Sequence, residues 1–224
     1  MAVDRWLFDQ HSRGLHPPTL RFYTWEPVAI SLGYHQRHYP AHWSELSWEG
    51  QAITLVHRPT GGRAVLHQGD LTYAIVTSGL PPSRRQSYEY LCEFLIQGWR
   101  SLGVELTYGH AGRGYIHNPN CFGSATAADL VTPTGAKLIG SAQARRGDVV
   151  LQHGSMRLEP NAALFQLVFG ASAPLPDIPK TLLAQPTAIA QALLTAAAAH
   201  FRVTLHPQPL SEAEWEQILT HSHR

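Results

Sequence analysis

Between two apolar, strand-like runs the chain places His57-Arg58-Pro59-Thr60-Gly61-Gly62-Arg63-Ala64-Val65-Leu66-His67-Gln68-Gly69-Asp70. Adjacent glycines tolerate positive φ and carry no side chain, so their amide N–H groups can approach a bound group to hydrogen-bond distance. The same pair is a common turn signal, and on its own the segment reads equally as a hairpin turn or a ligand-gripping loop. Either reading needs ordered strands on both sides. Ile53 to Val56 enters and Leu71 to Thr77 leaves, which predicts a loop mounted between two paired strands.

A second polar stretch, Lys137-Leu138-Ile139-Gly140-Ser141-Ala142-Gln143, is followed by His153-Gly154-Ser155. Together the two segments resemble the lipoate-protein and biotin-protein ligase superfamily. Its members carry an Arg-Pro-Thr-Gly-Gly-Arg-Ala-Val-like loop, a lysine ahead of Gly-Ser-Ala, and a following His-Gly-Ser. The likeness runs from the start of the chain to about residue 160. Within that superfamily the chain is most similar to the octanoyl-[carrier protein]:protein octanoyltransferases that work through a cysteine placed in a loop ahead of the lysine; the matching residue is Cys121.

The resemblance implies an α+β fold, a mixed and mostly antiparallel sheet flanked by helices in the class II synthetase-like manner. It implies an acyltransferase of lipoate biosynthesis. Octanoyl-acyl carrier protein would be the donor and Cys121 would hold the acyl group as a thioester. A lysine of a lipoyl carrier domain, on a dehydrogenase-complex E2 subunit or glycine cleavage H protein, would receive it, with no cofactor. Lys137 would manage protons. Arg58, Gly61, Gly62, Arg63, Ala64, His67, Gly140, Ser141, Ala142, Gln143, His153 and Gly154 would bind substrate, the octanoyl tail lying in an apolar tunnel. Three alternatives stay open: a lipoate ligase using ATP and Mg²⁺, an amidotransferase moving octanoyl between carrier domains, and a non-catalytic carrier-domain binder. There are two departures from the family. His57 stands where an arginine is usual, and the strand that precedes the family's first helix is missing, so either the start lies upstream or a sheet edge is bare.

The residues agree with that chemistry. Cys121 follows Asn118-Pro119-Asn120 in a breaker-rich stretch from Gly109 that predicts a mobile loop, where a thiol can meet a bulky acyl donor. A free thiol is only a few per cent thiolate at neutral pH, so a cation such as Lys137 must favour the anion. The tetrahedral intermediate needs donors, and the backbone near Gly61, Gly62, Gly140 and Ser141 and the His67 imidazole offer them. Cys92, in contrast, falls on the apolar stripe of a helix over Ser87 to Leu102 and reads as a core residue.

Among 224 residues, 44% are hydrophobic, enough for one domain, 1–224, with a C-terminal helical extension over 170–224. A net charge of +1 argues against nucleic acid. No apolar run reaches bilayer length, which with two unpaired cysteines reads as a cytoplasmic protein without membrane contact. The 14 histidines include His35, His38 and His42, but no His-Glu-x-x-His or paired-cysteine pattern points to a metal. Elsewhere the patterning predicts a helix over the first ten residues and strands at Leu20 to Trp25 and Val28 to Gly33. A short helix is expected over 42 to 49. A hairpin of Ala136 to Ala144 with Val149 to His153 would turn at Arg145 to Asp148. Helices are expected over Asn161 to Phe169 and Thr187 to Phe201, a strand at Val203 to Leu205, and a last helix opened by Ser211 and Glu214.

Overall fold

The computed structural model describes residues 1–109, 129–172 and 177–222. In chain order its elements are α1 (Ala2–Ser12), β1 (Thr19–Tyr23), β2 (Ala29–Leu32), a 3-10 turn (Ala41–Glu45), β3 (Ser47–Trp48), β4 (Gln51–Ala52), β5 (Thr54–His57), β6 (Val65–His67), β7 (Asp70–Thr77), α2 (Arg84–Ser101), β8 (Thr107–Tyr108), β9 (Asp129–Val131), β10 (Lys137–Arg146), β11 (Val149–Arg157), α3 (Ala162–Phe169), α4 (Lys180–Leu183), α5 (Pro186–Phe201) and α6 (Glu212–Ser222). A six-stranded antiparallel sheet runs β1-β7-β11-β10-β9-β8, and a smaller one runs β5-β2-β6, with β2 parallel to β5 and antiparallel to β6. The fold is α+β, with helices on both faces of a mostly antiparallel sheet.

β7 sits second from the edge and is buried on both faces, so its period of two feeds two cores. Leu71, Tyr73 and Ile75 join Leu91, Leu95 and Trp99 of α2 and Ile189 and Leu193 of α5. Ala74 and Val76 join Trp6, Leu7 and Phe8 of α1 and Ile218 of α6. A third cluster fills the space between the small sheet and α3 with Ile30, Leu32, Trp43, Leu164 and Phe165.

The helix ends follow local chemistry. Ser83 and Asn161 cap α2 and α3 by accepting from the amides of Gln86 and Leu164. Ser211 and Glu214 form the expected capping box, the carboxylate taking the Ser211 amide at 2.7 Å.

Besides the helix expected over 42 to 49, which is a 3-10 turn ending at Glu45 with β3 starting at Ser47, three predictions need correcting. The glycine loop is not mounted between two paired strands: it leaves β5 and enters β6, which both pair with β2, while β7 belongs to the large sheet. Val65 to His67 is too short a run for periodicity to separate from the loop, and it forms a strand of its own. Second, Val203 to Leu205 forms no strand. Arg202 closes α5 in the left-handed conformation, and the residues after it pair with no strand. Third, the β10–β11 pairing continues to Arg146 and Val149, so the turn is only Gly147 and Asp148, with Gly147 at φ +58°.

Candidate active site

Arg58 organises the glycine loop from beneath. Its buried guanidinium donates through Nη1 to the Ser31 carbonyl at 2.9 Å and to Ser31 Oγ at 3.0 Å. Through Nη2 it donates to the carbonyls of Gly61 at 2.9 Å and Arg63 at 2.6 Å. The loop also lies so close to Gly33 that a Cβ there would come within 1.9 Å of the Gly62 carbonyl oxygen. Ala64 is fully buried in the third core and, with the Arg63 backbone, supports the loop from behind instead of facing the cavity.

Next to the loop, His67 is buried and held on three sides. Its Nδ1 lies 2.8 Å from Asp70 Oδ2, which is an acceptor only, so Nδ1 carries the proton. Its Nε2 accepts from Ser31 Oγ at 2.8 Å, and Trp25 stacks on the ring with centroids 4.1 Å apart. Trp25 in turn donates from Nε1 to Thr72 Oγ1, and both Thr72 and Ser155 donate to the same Asp70 oxygen.

The opposite wall is the large sheet. Lys137 opens β10 and places Nζ 2.8 Å from Asp129 Oδ1 of β9, both side chains about 95% buried. A register shift between Lys137 and Ile139 interrupts the β9–β10 ladder next to that residue. Gly140 makes room for it, since a Cβ there would stand 2.9 Å from Lys137 Cε. Further along, Ser141 Oγ accepts from the Tyr73 hydroxyl at 2.8 Å, Tyr73 accepts from Gln152 Nε2, and Gln143 donates to Gln152 Oε1. Gly154 lies where a Cβ would meet Ser141 Oγ at 2.5 Å and Tyr73 Cε1 at 2.6 Å. Cys92 lies behind this network, 3.3 Å from Gln152 Nε2, and burial pushes its thiol up to about 12. It is a core residue.

His153 joins the two walls. Nδ1 donates to Asp4 Oδ2 of α1 at 3.1 Å, and Nε2 accepts from Thr60 Oγ1 of the loop at 2.6 Å. Burial lowers the imidazole below its ordinary value, against the pull of Asp4, and leaves it neutral near pH 7. Burial by itself would raise the Asp4 carboxyl. The hydrogen bond from His153 and the nearby Arg21 guanidinium outweigh that and hold it well below the usual range, with Tyr23 also donating at 2.7 Å.

These walls enclose a cavity of about 770 Å³. Arg58, Gly61, Gly62 and His67 from the loop side line it, as do Lys137, Gly140, Ser141, Ala142, Gln143, His153 and Gly154 from the sheet. Tyr23, Trp25, Val65, Tyr88 and Tyr108 share its wall with Ser31, Thr72 and Ser155. Those polar groups come from alternating positions of strands and look like ordinary strand residues in sequence. Asp129, Asp4 and Asp70 were likewise missed. Only Asp70 carried a signal, its spacing of three from His67. Cys121 and, apart from Gly109, the loop predicted ahead of it lie outside the described residues.

A fold of this kind, with a glycine loop facing a buried lysine, defines a protein class. The chain belongs to the lipoyl protein ligase A/B catalytic domain family, which matches residues 1–193. Among its relatives are proteins named octanoyltransferase LipM. That of Kyrpidia tusciae is 42% identical over 182 residues, 75% of this chain and 65% of the relative. That of Lysinibacillus sphaericus is 36% identical over 187 residues, covering 77% and 66%. The chain therefore spans about two thirds of the length of these curated relatives. The same fold occurs in a lipoate-protein ligase A crystallised with ATP, at a TM-score of 0.74 and 20% identity over 98% of this chain and 86% of that one. It also occurs in the bi-partite lipoate protein ligase of Thermoplasma acidophilum, at 0.70 and 19%, covering 98% and 84%.

Proposed function

We propose that the chain moves an octanoyl group from octanoyl-acyl carrier protein to a lysine of a lipoyl carrier domain, through a Cys121 thioester and without ATP or a metal. The lipoyl domain belongs to a dehydrogenase-complex E2 subunit or to glycine cleavage H protein. The observation that carries the reading is the buried Lys137–Asp129 pair in the wall of a large cavity, in a chain whose relatives are named octanoyltransferases. Gly109 and Asp129, the residues flanking the segment that contains Cys121, both line that cavity, and the Gly109 amide donates to the Asp129 carbonyl at 2.8 Å.

In the first half-reaction the Cys121 thiolate attacks the donor thioester, the carbon–sulfur bond to the carrier breaks, and the carrier thiol leaves with a proton. In the second, the target amine attacks the enzyme thioester, the Cys121 sulfur departs, and the amine gives up a proton to form the amide. Lys137 stabilises the thiolate by its charge in the first half and passes the proton in the second.

Mixing the purified chain with octanoyl-acyl carrier protein, with no nucleotide, should give an octanoyl adduct by intact mass that maps to Cys121. Adding a lipoyl domain should discharge it. Neither event should occur in Cys121→Ala. Turnover only with octanoic acid and ATP would instead make the chain a ligase, and an unmodified lipoyl domain under both conditions would make it a binder.

A further inference from the structure

The Ser31, His67 and Asp70 side chains connect to the glycine loop in one unbroken series. Asp70 Oδ2 accepts from His67 Nδ1 at 2.8 Å, His67 Nε2 accepts from Ser31 Oγ at 2.8 Å, and Ser31 Oγ accepts from Arg58 Nη1 at 3.0 Å. Arg58 then grips the Gly61 carbonyl with Nε at 3.2 Å and Nη2 at 2.9 Å. All four side chains are at least nine-tenths buried, so water does not compete for these bonds.

The last bond in the series has a stereochemical consequence. Across a trans peptide the carbonyl and the following N–H point in opposite directions. With the Gly61 oxygen drawn down onto Arg58, the Gly62 N–H is turned away from it. Gly62 lines the cavity, and its N–H meets no acceptor among the described residues. The peptide cannot flip freely, because the next carbonyl, that of Gly62, is wedged against Gly33 and the one after, that of Arg63, is also held by Arg58 at 2.6 Å. Glycine suits this position, where φ is +95° and a Cβ would stand 2.9 Å from Arg58 Nη2.

We propose that Asp70, His67 and Ser31 are positioning residues that act through Arg58 to hold the Gly61–Gly62 peptide with its N–H toward the cavity, where it receives the oxyanion of acyl transfer. The proposal rests on the transfer reaction above. Asp70 fixes the histidine tautomer: with a carboxylate at Nδ1, Nε2 is left as an acceptor and the Ser31 hydroxyl must donate to it. The serine lone pairs are then free to accept from Arg58. An amide at position 70 can donate to the ring instead, which permits the other tautomer and turns the serine proton toward Arg58, where it opposes the guanidinium.

Two readouts test this on the full chain. In Asp70→Asn, kcat for octanoyl transfer should fall about ten- to a hundredfold, as expected for a misaligned oxyanion donor, with KM for the carrier protein unchanged within twofold. Ser31→Ala, a smaller change on another element, should give the same split and stands in if Asp70→Asn does not fold. Independently of turnover, the Gly62 amide proton of ¹⁵N-labelled protein should move downfield on titration with octanoate, and this movement should be lost in both variants. A fall in melting temperature with kcat unchanged would reduce the series to a structural support and overturn the proposal, as would a Gly62 amide in the unmutated protein that ignores octanoate. Absence of transfer by the unmutated protein, with the Gly62 response intact, would remove the octanoyltransferase reading and leave the amide's orientation established.

Discussion

The two walls of the cavity are built in opposite ways. The loop wall is held largely by near neighbours, Arg58 binding Gly61 and Arg63 and His67 binding Asp70, with Ser31 of β2 the one distant partner, bound to both Arg58 and His67. The sheet wall joins residues far apart in the chain, with Tyr73 to Ser141, Cys92 to Gln152, and His153 to Asp4 across 149 positions. The first wall behaves as a preformed cradle. The second is an assembly that exists only when the whole fold does, and it contains the one buried lysine–carboxylate pair among the described residues.

The largest effect should come from breaking that pair. Lys137→Met should cut the transfer rate about a thousandfold, in the range of a lost acid–base group, when followed by product formation on a lipoyl domain. It also strands the Asp129 carboxylate in a buried site, which costs about 3–5 kcal/mol of stability by denaturant titration. The double variant Lys137→Met/Asp129→Leu should recover most of the stability and none of the activity. Recovery of activity in the double variant would show that the lysine matters for folding alone.

This contrast also decides what could be read from the sequence. The loop, Arg58 and His67 were legible because they stand in one continuous motif whose backbone geometry demands glycine. Lys137, Gly140 and Ser141 were legible through motif spacing. The carboxylates were not. Asp4 and Asp129 sit in ordinary amphipathic surroundings, and only the β-sheet register and the packing of α1 against β11 bring them to His153 and Lys137. The split of the glycine-loop strands into a separate small sheet was hidden for the same reason, since a three-residue strand such as β6 is defined by its pairing with β2.

Alanine at the glycines should separate the packed positions of both walls from the open tip of the loop next. Gly154→Ala drives a methyl group into Ser141, Tyr73 and the Gly140 carbonyl, and should cost about 1–3 kcal/mol by thermal or urea unfolding. Gly33→Ala meets the Gly62 backbone and should be at least as damaging. Gly61→Ala meets nothing within 4 Å, and its stability should stay within about 0.5 kcal/mol. Equal losses at Gly154 and Gly61 would mean that the space beside Gly61 is closed.

Acid should act on the sheet wall through His153 and Asp4. The buried imidazole is held below its ordinary value of 6.5, so between that value and its folded one the unfolded chain binds more protons. Stability is therefore fully present above pH 6.5 and declines as pH falls below it. The Asp4 carboxyl is also depressed, from 3.8, so its contribution is complete above that pH and is lost on further acidification. Melting temperature should fall in two stages, and His153→Gln should remove the upper one. A melting temperature flat from pH 7 to 5 in the unmutated protein would contradict a neutral, buried His153.

The smallest effect belongs to the cysteine behind the sheet wall. With its thiol pushed up to about 12 by burial, Cys92 has a negligible thiolate fraction at neutral pH and no solvent path. Iodoacetamide should leave it unmodified in the folded protein while labelling Cys121, as read by peptide mass mapping. Cys92→Ala removes a sulfur and the weak bond from Gln152, which still keeps its contacts to Tyr73 and Gln143, so stability should drop by about 1 kcal/mol and transfer activity should change less than twofold. Abolished transfer in Cys92→Ala would shift the nucleophile to the core side of the sheet, where the acyl donor has no route, and would require the sheet wall to open during each turnover.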